Sequence, residues 1–302
     1  MRRVARVAAG LARPSTRPRY VHAIRRRLQP DDEAYAEDER CLVCGVARPR
    51  LKTIRYFKDP TTVCEVRICR SCGHVGNPDN VHDYRRFKKP EDLPMRARVG
   101  TEDREGREFH MAKMAAQIMG RSGLSVLVYG AGRSIDNRHI GALGQVKSVA
   151  IADVMQLRND SEFIDINRPT SRQFDLVIAS EVVEHFLNPS EDFAALFRFV
   201  DSAGLLVCST NVFDGSNLEK HKYIFIPGHT SYYTPEALTH IARSNGFHLD
   251  FRLPLVATGY AGPRKRYLFL TRDASLLCDV ARYFGRHMYA PSEQPWANKE
   301  LE

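Results

Sequence analysis

"VLVYGAGRSIDN", residues 126–137, is an apolar run that breaks into two glycines one residue apart. A buried strand ending in glycine lets the backbone turn tightly and approach a ligand closely. The dinucleotide fingerprint G-x-G-x-x-G is incomplete here. Gly130 and Gly132 fit it, but Ile135 stands at the third position and polar residues interrupt the helix that should come next. A dinucleotide is therefore disfavoured, and the turn has to be read from the hundred or so residues C-terminal to it.

Those residues alternate between strands and helices. "SVLVYG", "VKSVAIADV", "EFIDIN", "FDLVIAS" and "GLLVCST" read as strands, and "HLDFRLP" and "RKRYLFLTR" as a late antiparallel pair. Ahead of them, "REGREFHMAKMAAQIMG" repeats Phe109, Met111, Met114, Ala115, Ile118 and Met119 mostly at helical steps and stops at Gly120. "RHIGALGQ" reads as a short helix or turn. "SEDFAALFRFVD" places Phe193, Leu196, Phe197 and Val200 on one helical face, and "TPEALTHIARSNGF" opens with a Thr cap and then Pro. Such alternation predicts a doubly wound α/β fold whose ligand lies at the carboxyl ends of parallel strands. Asp153 ends the second strand about 20 residues past the glycines, the spacing at which an acid accepts ribose hydroxyls. Asp165, near the end of the third strand, could accept from an adenine amino group. A loop acid or helix cap is the other reading of each aspartate.

"VLVYGAGRS", "VAIADV", "FIDIN" and "FDLVIASEVVEHFLNP", in that order and spacing, resemble the class I S-adenosylmethionine-dependent methyltransferases over residues 105–271. The resemblance implies a Rossmann-like seven-stranded methyltransferase sheet with a reversed terminal hairpin. It implies that Gly130 and Gly132, beside Tyr129, line the methionine portion of S-adenosyl-L-methionine. Asp153 would hold the ribose, Asp165 the adenine edge, and Ser180 and Glu181 would face the reacting centre; Val154 and Ile166 are further cofactor-binding candidates. Two departures stand out: Val128 where the family usually has an acid, and Ser134 where it has a third glycine. Asp136 is a candidate substitute for the missing acid.

Methyl transfer from a sulfonium needs a nucleophile held in line and, for a hydroxyl, a group that removes its proton. Histidine suits the second task, with an unperturbed pKa of about 6.5. His185 comes just after the fourth strand in "EVVEHF"; His221 and His229 lie in "KHKYIFIPGHTSYYTPEAL". "GHTSYYTPEAL" resembles a segment of bacterial sugar and small-molecule methyltransferases that borders the substrate pocket. On that basis His229 is the expected general base, and Tyr232, Tyr233 and His221 line the pocket. Glu184 would orient His185 or bond the cofactor. In the alternative reading the tyrosines pack the helix start and His229 caps a loop. His139 and His240 read as surface residues, Cys208 as core.

Five of the seven cysteines fall between residues 41 and 72. Cys41-x-x-Cys44 and Cys69-x-x-Cys72, each with glycine directly after it, form two knuckles able to point four thiolates at one structural zinc ion. Iron is the weaker alternative, and Cys64 is left over. His74 could replace one thiolate. The uneven spacing fits a reducing, cytoplasmic setting better than a disulfide framework. By resemblance such a ribbon precedes the catalytic domain in bacterial sugar methyltransferases and in some ribosomal-RNA methyltransferases.

The chain carries a net charge of +9, yet nine of its 45 basic residues are arginines in the acid-free first 30 residues, leaving 36 basic against 36 acidic. This arm reads as a solvated tail, a segment lying on an anionic membrane surface, or an organellar transit peptide. The expected organisation is an arm at 1–37, a zinc ribbon at 38–80, a connector at 81–104, the methyltransferase domain at 105–271 and a C-terminal helix and tail at 272–302. A near-neutral catalytic body points to a small acceptor, a nucleotide sugar or glycan, with O-methylation ahead of C-methylation. Residues 41–99 hold 13 basic and six acidic residues, which keeps an RNA or protein methyltransferase as the alternative, nucleic acid being the less favoured partner. A non-catalytic scaffold is the third class. Peripheral membrane contact through the arm completes the set of expectations.

Overall fold

The computed structural model describes residues 35–82, 89, 98–254 and 264–288. Most of the N-terminal arm, most of the connector and the C-terminal tail expected above lie outside these residues. The described residues belong to one compact unit, Ala34–Glu302.

Three strands build the cysteine module: β1 (Arg50–Arg55), β2 (Val63–Ile68) and β3 (Val75–Gly76). Then come α1 (Arg107–Met119), β4 (Leu124–Tyr129), α2 (Asp136–Gly141), β5 (Val146–Asp153), β6 (Glu162–Asp165) and β7 (Phe174–Ser180). The second half holds α3 (Pro189–Phe197), β8 (Val200–Asn211), β9 (Ser231–Tyr232), α4 (Pro235–Ser244), β10 (His248–Arg252), β11 (Lys265–Thr271) and α5 (Ala274–Met288).

Seven of these strands form one sheet in the order β10-β11-β8-β7-β4-β5-β6. β4 through β8 run parallel, and β11 lies antiparallel to both β8 and β10. The fold is the doubly wound, Rossmann-like sheet with a reversed terminal hairpin. Its strands read as continuous apolar runs because both faces are covered. Leu127, Val177, Leu206 and Cys208 pack beneath Phe193, Phe197, Leu238 and Ile241. Val126, Val128, Ile178 and Val207 pack against Met111, Met114, Val280 and Phe284 on the other side. The chain winds outward from β4 in both directions, so the crevice opens at the carboxyl end of β4, where the glycine turn lies.

One element differs from its sequence pattern. The helix expected to run through Asp201 ends at Phe197, and β8 begins at Val200, which pairs with Phe174. Val200 is fully buried at that edge, so pairing with β7 outweighs its helical spacing.

The smaller sheet has the order β1-β2-β3-β9, all antiparallel. Its last strand comes from the catalytic half of the chain: Val75 pairs with Tyr232 and Gly76 with Ser231. Ile54, Val66 and Val75 share a core with Phe213, Tyr223, Ile224 and Tyr232. So small a module cannot bury an adequate core by itself, and it uses the segment after β8 to complete one. No described helix is long and apolar enough to cross a membrane.

Candidate functional site

The four knuckle cysteines converge. The sulfurs of Cys41, Cys44, Cys69 and Cys72 all lie within 4.8 Å of one another. Cys41 and Cys72 sulfurs are 3.6 Å apart, and those of Cys44 and Cys69 are 3.5 Å apart. A tetrahedral zinc ion at about 2.3 Å from each thiolate requires sulfurs about 3.8 Å apart, so the donor set fits. Gly45 N–H donates to the Cys41 carbonyl at 2.9 Å and Gly73 N–H to the Cys69 carbonyl at 3.0 Å, closing two matching turns. His74 is buried outside the cluster, its Nε2 3.3 Å from the Ser231 hydroxyl, and Cys64 sits apart on β2. Neither joins the four thiols.

At the crevice, β4 turns through Gly130 and Gly132, with φ of 70° and 55°. A Cβ on Gly130 would stand 2.6 Å from Val182 Cγ2, so only glycine fits this left-handed turn. Asp153, one strand over, is drawn into the same corner. Its carboxylate accepts from Gly132 N–H at 3.2 Å and from Val154 N–H at 2.7 Å. Burial raises the Asp153 carboxyl above its ordinary value, and those two donors work against the rise. Val154 stays exposed beside it. Next to this corner is a small concavity lined by Gly132, Asp153, Met155, Arg158, Ser161 and Phe163, among others.

Four residues expected at the cofactor make bonds or contacts within the protein. Asp136 does not stand in for the missing acid: fully buried, it accepts from Gly106 N–H at 2.7 Å and from Phe109 N–H at 3.2 Å, bonding the start of α1. Asp165 turns its carboxylate onto its own loop, accepting from the Asn167 backbone and side chain, both at 2.9 Å, and pairing with Arg168 at 3.2 Å. Tyr129 is buried and packs edge-on to Phe199, with ring centres 5.9 Å apart. Ile166 leans on the same core while its N–H donates to the Asp153 carbonyl at 3.2 Å.

The end of β7 carries the densest polar network. Glu181 adopts a left-handed φ of 56°, unusual for a non-glycine residue and a form of strain that clusters at functional sites. Ser180 and Ser209 hydroxyls are 3.0 Å apart, Ser209 donates to Glu181 Oε1 at 2.9 Å, and Lys265 pairs with Glu181 Oε2. One turn later come Glu184 and His185. Glu184 is fully buried, and Thr210 donates to its Oε2 at 3.3 Å. His185 Nδ1 donates to the Gly228 carbonyl at 2.7 Å.

His229 reaches this group from the segment between β8 and α4, its ring centre 4.9 Å from that of His185. Main-chain bonds hold it there: Thr230 N–H donates to the Glu184 carbonyl at 2.9 Å, and the Thr230 hydroxyl to the Phe186 carbonyl at 2.8 Å. Burial pushes the His229 imidazole down to about 3, and the neighbouring His185 adds to the effect. It therefore stays neutral at physiological pH but is a weak proton acceptor.

The remaining candidates are structural. Tyr232 and Tyr233 are fully buried. Tyr233 donates to the Val183 carbonyl at 2.9 Å, and the Tyr232 hydroxyl is 3.2 Å from His221 Nδ1. His221, also buried, meets the Ser216 hydroxyl at 2.8 Å through its other nitrogen. These three do not line an open pocket. They fill the core joining the cysteine module to the catalytic half. His240 is exposed and Cys208 fully buried, while His139 is half-buried against the Thr101 carbonyl.

Arg107, Lys265, Tyr223 and Arg158 join these networks without any motif in the sequence to mark them. Burial lowers the Arg107 guanidinium, but the charges of Glu108, Glu181 and Glu184 outweigh it and leave it raised. Arg158 bonds Asn137 Oδ1 at 2.9 Å as well as the Ser134 carbonyl, bridging the glycine turn to the loop after β5. Isolated basic or aromatic residues carry no spacing signal; only folding assembles them.

Comparison with curated proteins finds no match. Among solved structures, the chain is similar to the 1,6-didemethyltoxoflavin-N1-methyltransferase of Burkholderia thailandensis. The identity is 17% and the TM-score 0.40, over 54% of this chain and 78% of that one. It is also similar to the N-methyltransferase NodS of Bradyrhizobium japonicum, at 12% identity and a TM-score of 0.40, over 56% and 87% of the two chains. An O-methyltransferase family protein from Burkholderia thailandensis matches at 13% identity and a TM-score of 0.42, over 54% and 55%. The family model described as the methyltransferase domain matches residues 95–250, just over half of the sequence, and the chain belongs to that family.

Proposed function

We propose that the protein is an S-adenosyl-L-methionine-dependent methyltransferase acting on a small, hydroxyl-bearing acceptor of the sugar or glycan type, with a structural zinc ion in its cysteine module. The observation that carries the reading is the junction of the glycine turn with Asp153 at the carboxyl edge of the sheet, closed by the Gly132 N–H bond to the Asp153 carboxylate. In this reading Gly130 and Gly132 hold the methionyl part of the cofactor, Asp153 the ribose hydroxyls, and Val154 lies against the base. The glycine cradle that a Cβ would fill supports the fit. The cofactor would supply an electrophilic methyl group on sulfur and leave as a thioether.

The chain's own residues prepare the acceptor side. Buried Glu184 and His229 and half-buried His185 form a polar pole one turn beyond Glu181. Their nitrogen and carboxylate lone pairs can accept from an acceptor's hydroxyl group, which supports O-methylation over C-methylation. The cysteine module would act through β9: by pairing β3 with Ser231–Tyr232 it fixes the segment that delivers His229.

Isothermal titration of the full chain with S-adenosylhomocysteine tests the reading. One equivalent should bind in the wild type, and Asp153→Asn should bind it more weakly. Absence of heat and of thermal shift at millimolar ligand would remove it.

A further inference from the structure

Beyond the cysteine cluster, a second group of metal-ligating side chains lies at the acceptor pole. Glu184, His185 and His229 each bring one donor atom within 4.8 Å of the others. Two of the atoms available there have no hydrogen-bond partner among the described residues, Glu184 Oε1 and His229 Nδ1. Their residues are 0% and 7% exposed, so water does not satisfy them freely. A buried carboxylate oxygen and a buried imidazole nitrogen left without partners are costly, and such pairs call for a ligand that accepts lone pairs.

The surroundings are those of ligating side chains. The Gly228 carbonyl can only accept, so the 2.7 Å bond puts the His185 proton on Nδ1 and the lone pair on Nε2. Metal-bound imidazoles are oriented in this way, through the second ring N–H to a carbonyl. Glu184 is oriented likewise: Thr210 donates to Oε2, and the Thr210 hydroxyl is 2.7 Å from that of Tyr223. Lys265, the nearby ammonium, is paired with Glu181.

We propose that Glu184, His185 and His229 bind a divalent metal ion of the first transition row. Two imidazoles and one carboxylate suit manganese, iron, cobalt or zinc better than magnesium or calcium, which prefer all-oxygen shells. Three protein ligands leave coordination positions open to oxygens from outside. An acceptor carrying a hydroxyl, or two adjacent hydroxyls, would take those positions, and the ion would lower the hydroxyl's pKa. This last role rests on the methyltransferase reading; the metal site itself does not.

The test uses the full chain with its cysteines loaded with zinc, and Mn²⁺ as the probe. Titration monitored by electron paramagnetic resonance should show one tightly held Mn²⁺ per chain, with spin-echo modulation from directly bound imidazole nitrogen. Glu184→Gln and His229→Ala should each weaken binding at least about tenfold while circular dichroism stays unchanged. Failure of the wild type to hold Mn²⁺ at millimolar levels, or bound Mn²⁺ without nitrogen modulation, overturns the proposal even where a variant does not fold. A parallel titration with S-adenosylhomocysteine separates the two readings. Mn²⁺ bound without it leaves the metal site standing and sinks the methyltransferase, and the reverse result sinks only the metal site.

Discussion

Thr234 joins the two halves of the molecule through one hydroxyl: its Oγ1 accepts from Ala237 N–H at 3.1 Å, capping α4, and donates to the Cys72 carbonyl. Gly73, beside that carbonyl, has no room for a side chain, since a Cβ would stand 2.7 Å from Thr234 Cγ2. Thr234→Val keeps the shape but loses both bonds. It should cost about 1.5–5 kcal/mol of unfolding free energy, read by chemical denaturation, the sum of a lost cap and an unsatisfied buried carbonyl.

Removing zinc should disturb the acceptor pole as well as the cysteine module. With the knuckles released, β3 loses the anchor that pairs it with β9, and His229 lies two residues before β9. Elemental analysis should find one zinc per chain at the cysteines. Strong chelation should lower the melting temperature of the whole unit, in a single transition rather than two. Two independent transitions would show that the module folds apart from the sheet.

Asp153→Asn removes a charge from the proposed ribose contact while keeping an oxygen to accept from Gly132. Cofactor affinity should fall roughly 10- to 150-fold, the equivalent of about 1.5–3 kcal/mol for a hydrogen bond to a charged group. Stability should change little. Gly130→Ala should lose binding and stability together, because the new Cβ meets Val182 and the turn is left-handed. Calorimetry beside thermal melts distinguishes the two patterns.

Glu108, which belongs to neither proposed metal site, offers a pH test. Burial, opposed by Arg107, raises its carboxyl from 4.5 to about 7. The folded chain then holds this proton more tightly than the unfolded chain does. Its contribution is complete below 4.5 and is lost as pH rises through about 7. Glu108→Gln, which mimics the protonated form, should flatten that decline by about 2–3 kcal/mol, measured as unfolding free energy at pH 5 and pH 7.5.

Much of the fold was legible because its signals are local. The central strands β4 and β7 are short, mostly apolar runs set between breakers, and the cysteine pairs sit at knuckle spacing. The Gly130–Asp153 corner was legible for a related reason: β4 and β5 are consecutive parallel neighbours, so separation along the chain translates directly into adjacency. The acceptor side was only half legible. Glu184 and His185 adjoin in sequence, but nothing local showed that His229 would join them, or decided between pocket lining and packing for Tyr232 and Tyr233.

By itself, then, the sequence determined the order and type of the elements, the thiolate knuckles and the glycine turn, all set by backbone geometry and hydrophobic period over a few residues. Tertiary structure decided which polar groups were already spoken for. It bonded Asp136 to α1 and Asp165 to its own loop, and buried Tyr232 and Tyr233 in two separate apolar clusters. It also brought His74 to Ser231 across 157 positions and so set β9, with His229 just before it, against the end of β7. Hydrogen-bond satisfaction is settled only when distant segments meet, because a carboxylate or a ring takes whichever donors and acceptors burial leaves within reach.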